Sequence, residues 1–271
     1  MNALRAAIVR GARRTARAGS AVRSARPGDG YEFAQLRGYV EGDDPRRIDW
    51  AASARIGVLQ TRVYLEETAL VLAAIVDESP SMRLGRTRRL SEAAQDALDA
   101  WYGAAENEDR AQRIVDDRIV TGRRAAAHVS AQQPFVLLHA LELARRVLPR
   151  GASLLCISDL FDLPRDDSDV LVRLGHRFDA TLLIARDPWH AALPLRGLRR
   201  MHDAESGRSR LIWFGRRERE RYARAVATRE AQLHDRFTRA GWRVGLLEER
   251  DGRASLEAAF GLRLASHIRS S

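Results

Sequence analysis

Apolar residues along this chain fall into short unbroken runs separated by longer stretches of helical period. "ALVLAAIV" (Ala69 to Val76), "ASLLCISD", "FDATLLIA" and "WRVGLLE" are too short for stable helices. They lack polar alternation, as expected of parallel strands buried on both faces. Between them, "RRLSEAAQDALDAWYGAA" sets Leu90, Ala94, Ala97, Leu98 and Trp101 on one side of a helix. "FVLLHALELARRVL" reads as a helix ended by Pro149 and Gly151, and "SDVLVRLGHR" as a shorter one. "RRERERYARAVATREAQLHDRFTRAG" spaces Tyr222, Val226, Leu233 and Phe237 by fours and sevens and stops at Gly241, a glycine cap. "SLEAAFGLRL" predicts a last helix, and "AQRIVDDRIV" a strand or hairpin. Nearer the start, "IGVLQTRVYLEE" alternates Val58, Gln60, Arg62 and Tyr64 against Leu59, Thr61, Val63 and Leu65, the period of a strand. Strands alternating with helices predict an α/β fold, a mainly parallel sheet with helices on both faces, preceded by an N-terminal β-containing extension.

Composition narrows the class. Hydrophobic residues at 45% and charged residues at 30% are globular values. No apolar stretch reaches the roughly 20 residues of a membrane span, and no signal-peptide core opens the sequence, so a soluble, cytoplasmic protein is expected. The single cysteine, Cys156, has no partner for an internal disulfide and lies in an apolar run, as a small core residue does.

The net charge of +10 is uneven. Residues 1–28 hold Arg5, Arg10, Arg13, Arg14, Arg17, Arg23 and Arg26 and no acid, leaving the body nearly balanced. This tail, broken by Gly11 and Gly19, is expected to be flexible, solvated or loosely docked. Residues 29–66 form the N-terminal segment and 67–265 the main domain. Binding of nucleic acid or an anionic surface through the tail is the alternative function that the charge suggests, although the balanced body argues against a nucleic-acid partner. Every basic residue is arginine, which excludes a Walker lysine and a Schiff-base lysine.

The chemistry concentrates where the first apolar run ends. Asp77, Ser79 and Ser81 follow at alternate positions in "VDESPSM", and Asp159 ends "ASLLCISD", with Asp162 three residues on. In an open parallel sheet, ligands bind outside the carboxyl ends of the strands. If the two strands are neighbours, Asp77 and Asp159 face each other and repel unless compensated. One reading is a divalent cation: oxygen-only ligands with few carboxylates suit Mg²⁺. The other is a structural turn in which the serines cap backbone amides and Asp77 accepts from loop N–H groups.

A resemblance bears on that choice. "FAQLRGYVEGDDPRRIDWAASARIGVLQTRVYLEE", then "IVDESPSM", "ISDLFD" and "DPWHAALPLRGLRRMHDAESG" resemble, in order, the domain-of-unknown-function family numbered fifty-eight. These are von Willebrand factor A-like proteins commonly encoded beside MoxR-type AAA+ ATPases. The match is carried by Arg37, Tyr39, Gly42, Asp43, Asp44, Arg46, Ile48, Asp49, Trp50, Ser53, Ala54 and Arg55. The resemblance implies a von Willebrand factor A-like, Rossmann-like fold. It also implies a metal-ion-dependent adhesion site (MIDAS) for Mg²⁺ on Asp77, Ser79, Ser81 and Asp159. The protein would then be a non-enzymatic adaptor for a MoxR-type AAA+ ATPase and its client. Two departures stand out. The family's threonine before the helix "FVLLHAL" is absent, Phe135 standing nearest its place, and the acidic residue after "DP" is replaced by Trp189 and His190.

Other constellations are weaker. "GDD" at Gly42 to Asp44 reads as a tight turn, and Arg37, Arg46 and Arg55 against Asp43, Asp44 and Asp49 suggest ion pairs pinning the N-terminal segment to the main domain. The seven histidines lack zinc-ligand spacing, and "DESPSM" is no nucleophile elbow. A metal-dependent hydrolase using Asp77 and Asp159 lacks an evident base.

Overall fold

A computed structural model describes residues 3–19, 32–65, 69–106, 108–127, 134–161, 163–164, 168–190, 193–204 and 207–262. In chain order its elements are α1 (Ala3–Gly19), β1 (Glu32–Gly38), α2 (Trp50–Ile56), β2 (Gln60–Leu65), β3 (Val71–Val76), α3 (Leu90–Tyr102), β4 (Arg110–Val115) and β5 (Arg118–Thr121). There follow α4 (Leu137–Val147), β6 (Ser153–Ser158), α5 (Ser168–Arg177), β7 (Asp179–Ala185), β8 (Gly197–His202), β9 (Ser209–Phe214), α6 (Arg216–Arg239), β10 (Arg243–Leu247) and α7 (Gly252–Ala259). The chain divides into two compact units, residues 20–69 and residues 1–19 with 70–271.

The larger unit is built on a six-stranded sheet in the order β10-β7-β6-β3-β4-β5, parallel except for the β4–β5 hairpin. Residue parity explains why its central strands carry apolar residues on both faces. Ala73 and Ile75 of β3 and Leu154 and Cys156 of β6 pack with α4, α5 and α6. Their neighbours Leu72, Ala74, Leu155 and Ile157 pack on the other face with α3, α7 and the start of α1. Each strand therefore feeds two cores. From β3 the chain runs outward to β4 and β5, then returns to lay β6 on the other side of β3. The gap between the carboxyl ends of β3 and β6 is thus the sheet's topological switch point.

The expectation of a flexible, basic tail is corrected over residues 3–19, which form a helix seated in the core. Leu4, Ala7, Ile8 and Ala12 make one stripe, and Leu4 and Ile8 are fully buried. The arginines conceal this stripe in the composition, but Arg5 is neutralised in place: it pairs with Asp109 and, at 2.8 Å, with Glu106. Gly11 lies so close to Asp179 that a Cβ there would sit 2.1 Å from the carboxylate. Residues 20–28 lie outside the described residues.

In the smaller unit β1 and β2 pair antiparallel, and α2 is capped by Asp49, whose Oδ1 accepts from Ala52 N at 2.9 Å. The expected ion pairs are partly re-dealt. Arg37 does meet Asp43, at 2.6 Å, but Asp49 pairs with Arg62 at 3.0 Å, and Asp44 accepts from the backbone of Arg46. These contacts close within the unit. No helix among the described residues is long and apolar enough to cross a membrane.

Candidate functional site

Parallel pairing carries the ends of β3 and β6 to the same level: Val76 stands opposite Ile157, and Asp77 N donates to Ile157 O at 2.8 Å. Asp77 is only 4% exposed. Both of its carboxylate oxygens accept hydrogen bonds, Oδ1 from Ser79 N at 2.8 Å and Oδ2 from the Ser158 hydroxyl at 2.6 Å. The hydroxyls of Ser79 and Ser81 lie 2.9 Å apart. Pro80 then opens a single 3₁₀ turn, Pro80–Arg83, that carries the serines back towards the sheet edge.

Asp159 sits one residue beyond β6, its Oδ1 accepting from Phe161 N at 2.9 Å. Arg229 of α6 donates to its backbone carbonyl at 3.1 Å. The next residue, Leu160, is held in the left-handed region at φ 58°. That conformation is unfavourable for a branched side chain. Here burial of the side chain and donation of Leu160 N to Ser158 Oγ at 2.9 Å hold it in place.

Asp77, Ser79, Ser81, Ser158 and Asp159 line one small cavity, with Phe135, Leu137, Leu160, Phe161 and Leu163 forming its apolar wall. Its volume of about 20 Å³ is room for one water-sized body. The four residues singled out by spacing are therefore brought together. Asp162 lies outside the described residues, as does the stretch 128–133 before Phe135. Phe135 presents an aromatic ring where the resemblance leads one to expect a hydroxyl.

Sequence reasoning missed Ser158 and Arg113. Ser158 is visible only once β3 and β6 are set in register. Arg113, on β4, is 2% exposed and pairs with Glu78, the residue after Asp77, at 2.7 Å, while donating to Ala127 O at 2.9 Å. It braces the loop from beneath.

The electrostatics follow from this packing. Burial raises the Asp77 pKa and the charge of Asp159 raises it further, against hydrogen bonds from Ser158 and Ser79 that lower it. The two carboxylates have no countercharge among the lining side chains. Its donor set of two carboxylates and several hydroxyls is hard and oxygen-only, matching a small divalent cation. Among the described residues no three His, Cys, Asp or Glu side chains converge on such a position, so hydroxyls and water would have to complete the shell.

Uncharacterised proteins of Mycobacterium tuberculosis and Mycobacterium bovis are 28% identical over 229 residues, covering 76% of this chain and 71% of theirs. Among solved structures, an aerotolerance-related membrane protein from Bacteroides fragilis superposes with a TM-score of 0.46 at 13% identity, over 70% of this chain and 96% of that one. A conserved hypothetical protein, BatB, from Bacteroides thetaiotaomicron gives 0.36 at 13% identity, over 64% and 98%. The family described as "Protein of unknown function DUF58" matches residues 35–232, well over half of the sequence, and the chain belongs to that family.

Proposed function

We propose that this chain is a non-enzymatic interaction module of von Willebrand factor A-like type. In this reading it uses the switch-point cavity as a degenerate metal-ion-dependent adhesion site and serves as adaptor between a MoxR-type AAA+ ATPase and its client. The observation that carries the reading is the convergence of Asp77, Ser79, Ser81 and Asp159 on one cavity that leaves Asp77 buried beside a second carboxylate. Asp77, Ser79, Ser81 and Asp159 would hold Mg²⁺, directly or through water. When bound, the ion supplies a coordination position for an acidic side chain of the partner.

Two features of the rim support docking over catalysis. Phe161, 69% exposed, offers an apolar anchor next to the polar centre. Among the described residues the cavity lining holds no histidine or cysteine, and both oxygens of Asp77 already accept hydrogen bonds. The alternative through the arginine-rich residues 1–28 is weakened by the docking of α1, which commits Arg5 to Asp109 and Glu106.

The test is capture of a purified MoxR-type ATPase by the full chain in Mg²⁺ and in EDTA, alongside Asp77→Ala checked for folding by circular dichroism. Binding in Mg²⁺ that is lost in EDTA and in the variant is expected. Equal binding in all three would overturn the reading.

A further inference from the structure

β8 and β9 form an antiparallel ribbon that joins neither of the other two sheets. The register pairs Leu198 with Trp213 and Arg200 with Leu211 on one face, and Arg199 with Ile212 and Met201 with Arg210 on the other. On the first face Leu198, Leu211 and Trp213 are 57%, 62% and 63% exposed. A lone two-stranded ribbon is marginal in water unless something covers it, and an exposed tryptophan flanked by two exposed leucines is an apolar patch of the kind that marks an interaction site. The outer edge of β8 pairs with no strand among the described residues. Its backbone groups are therefore open to an added strand.

Charge decides the occupant. Arg199, Arg200 and Arg210 are exposed and make no ion pair among the described residues. A second copy would set these arginines against their own kind. Single-stranded nucleic acid needs stacking rings beside cations, whereas Trp213 stands among aliphatic side chains with two of the three arginines on the opposite face. A membrane surface needs the apolar end to lead, but Leu198 and Trp213 lie at the base of the ribbon, while its turn end carries His202, Asp203, Arg208 and Ser209.

We propose that the β8–β9 ribbon docks an acidic, extended segment of a partner protein. The segment adds along β8, its apolar side chains lying over Leu198 on the face shared with Leu211 and Trp213, and its alternate carboxylates meeting Arg199 on the face shared with Arg210. The period of two in a strand makes the occupant recognisable: acidic and apolar residues alternate. This surface is independent of the Asp77 cavity and of any cation there.

The test pans a phage-displayed library of random peptides on the full chain, then measures synthetic versions of the enriched sequences by fluorescence anisotropy. Enriched peptides that alternate acidic and apolar residues are expected. Their affinity should fall about tenfold or more in Trp213→Ser and in Arg199→Glu/Arg210→Glu. Binding should survive EDTA, which separates this surface from the proposed metal site. The variants alter exposed side chains, so an unchanged thermal transition confirms that they fold. Peptides without acidic bias, or affinity retained in both variants, would overturn the proposal. So would tighter binding of oligo-dT or phosphatidylglycerol vesicles that the same substitutions abolish.

Discussion

The hydroxyl of Ser158 donates to Oδ2 of Asp77 at 2.6 Å, joining the last residue of β6 to the first residue past β3. This bond closes the floor of the cavity and gives the buried carboxylate one of its neutral donors. Ser158→Ala leaves Oδ2 buried without that donor and is expected to cost about 1–3 kcal/mol in urea unfolding, whereas Ser158→Thr keeps the hydroxyl and most of the stability. A loss in the alanine variant no larger than in the threonine variant would show that the bond contributes little.

Phe135 occupies the cavity wall where the resemblance leads one to expect a threonine. On the proposed metal-site reading, Phe135→Thr is expected to tighten Mg²⁺ binding by about tenfold, the scale on which one supporting oxygen acts at a metal site. Titration calorimetry on the two proteins reads this directly. Weaker binding in the variant would mean that the ring shields the site.

Arg113 and Glu78 form an unequal pair, their side chains 2% and 17% exposed. Removing the acid strands a cation that water cannot reach, so Glu78→Gln is expected to cost about 3–5 kcal/mol. Removing the cation leaves an acid that water still touches, and Arg113→Met should cost less, about 1–2 kcal/mol. Chemical denaturation of both variants checks the order, and a reversed order would refute the account.

The seat of α1 responds to acid. Burial pushes the Asp109 pKa up, but donation from the backbone N–H groups of Glu106 and Leu70 and from Arg5 outweighs it, leaving the pKa below the ordinary aspartate value. A carboxylate depressed in the folded state contributes stability that is complete above its unfolded pKa and is lost as pH falls through the folded one. The stability gap between the parent chain and Arg5→Met should therefore be constant near neutrality and close on acidification from about pH 5 downward. Urea unfolding across that range measures it, and a gap that widens in acid would contradict the assignment.

The sheet was legible because its buried parallel strands are dominated by apolar residues on both faces: "FDATLLIA" gives β7 and "ASLLCISD" gives β6 within a residue or two. The helix "SDVLVRLGHR" coincides with α5, and Gly241, at φ 84°, ends the long helix as its spacing predicts. "AQRIVDDRIV" resolves as the hairpin β4–β5. The last helix begins earlier than "SLEAAFGLRL" suggests, because Asp251 caps it through Ala254 N. β8 and β9 are exposed on both faces and so carry no alternation to read, and the stripe of α1 is narrow enough for the surrounding arginines to mask it. At the cavity, Asp77 and Asp159 announce themselves by charge. Ser158 and Arg113 depend on register between distant strands, which spacing along one chain does not reveal.

Cys156, the one thiol of the chain, lies in the middle of β6 with 1% exposure, and burial pushes its pKa far up. A thiol-specific dye is therefore shut out until the central strand parts from its neighbours. The rate of labelling then becomes a clock for whole-domain opening, built in without engineering, against which a bound cation or captured peptide is timed by how much it slows the reaction.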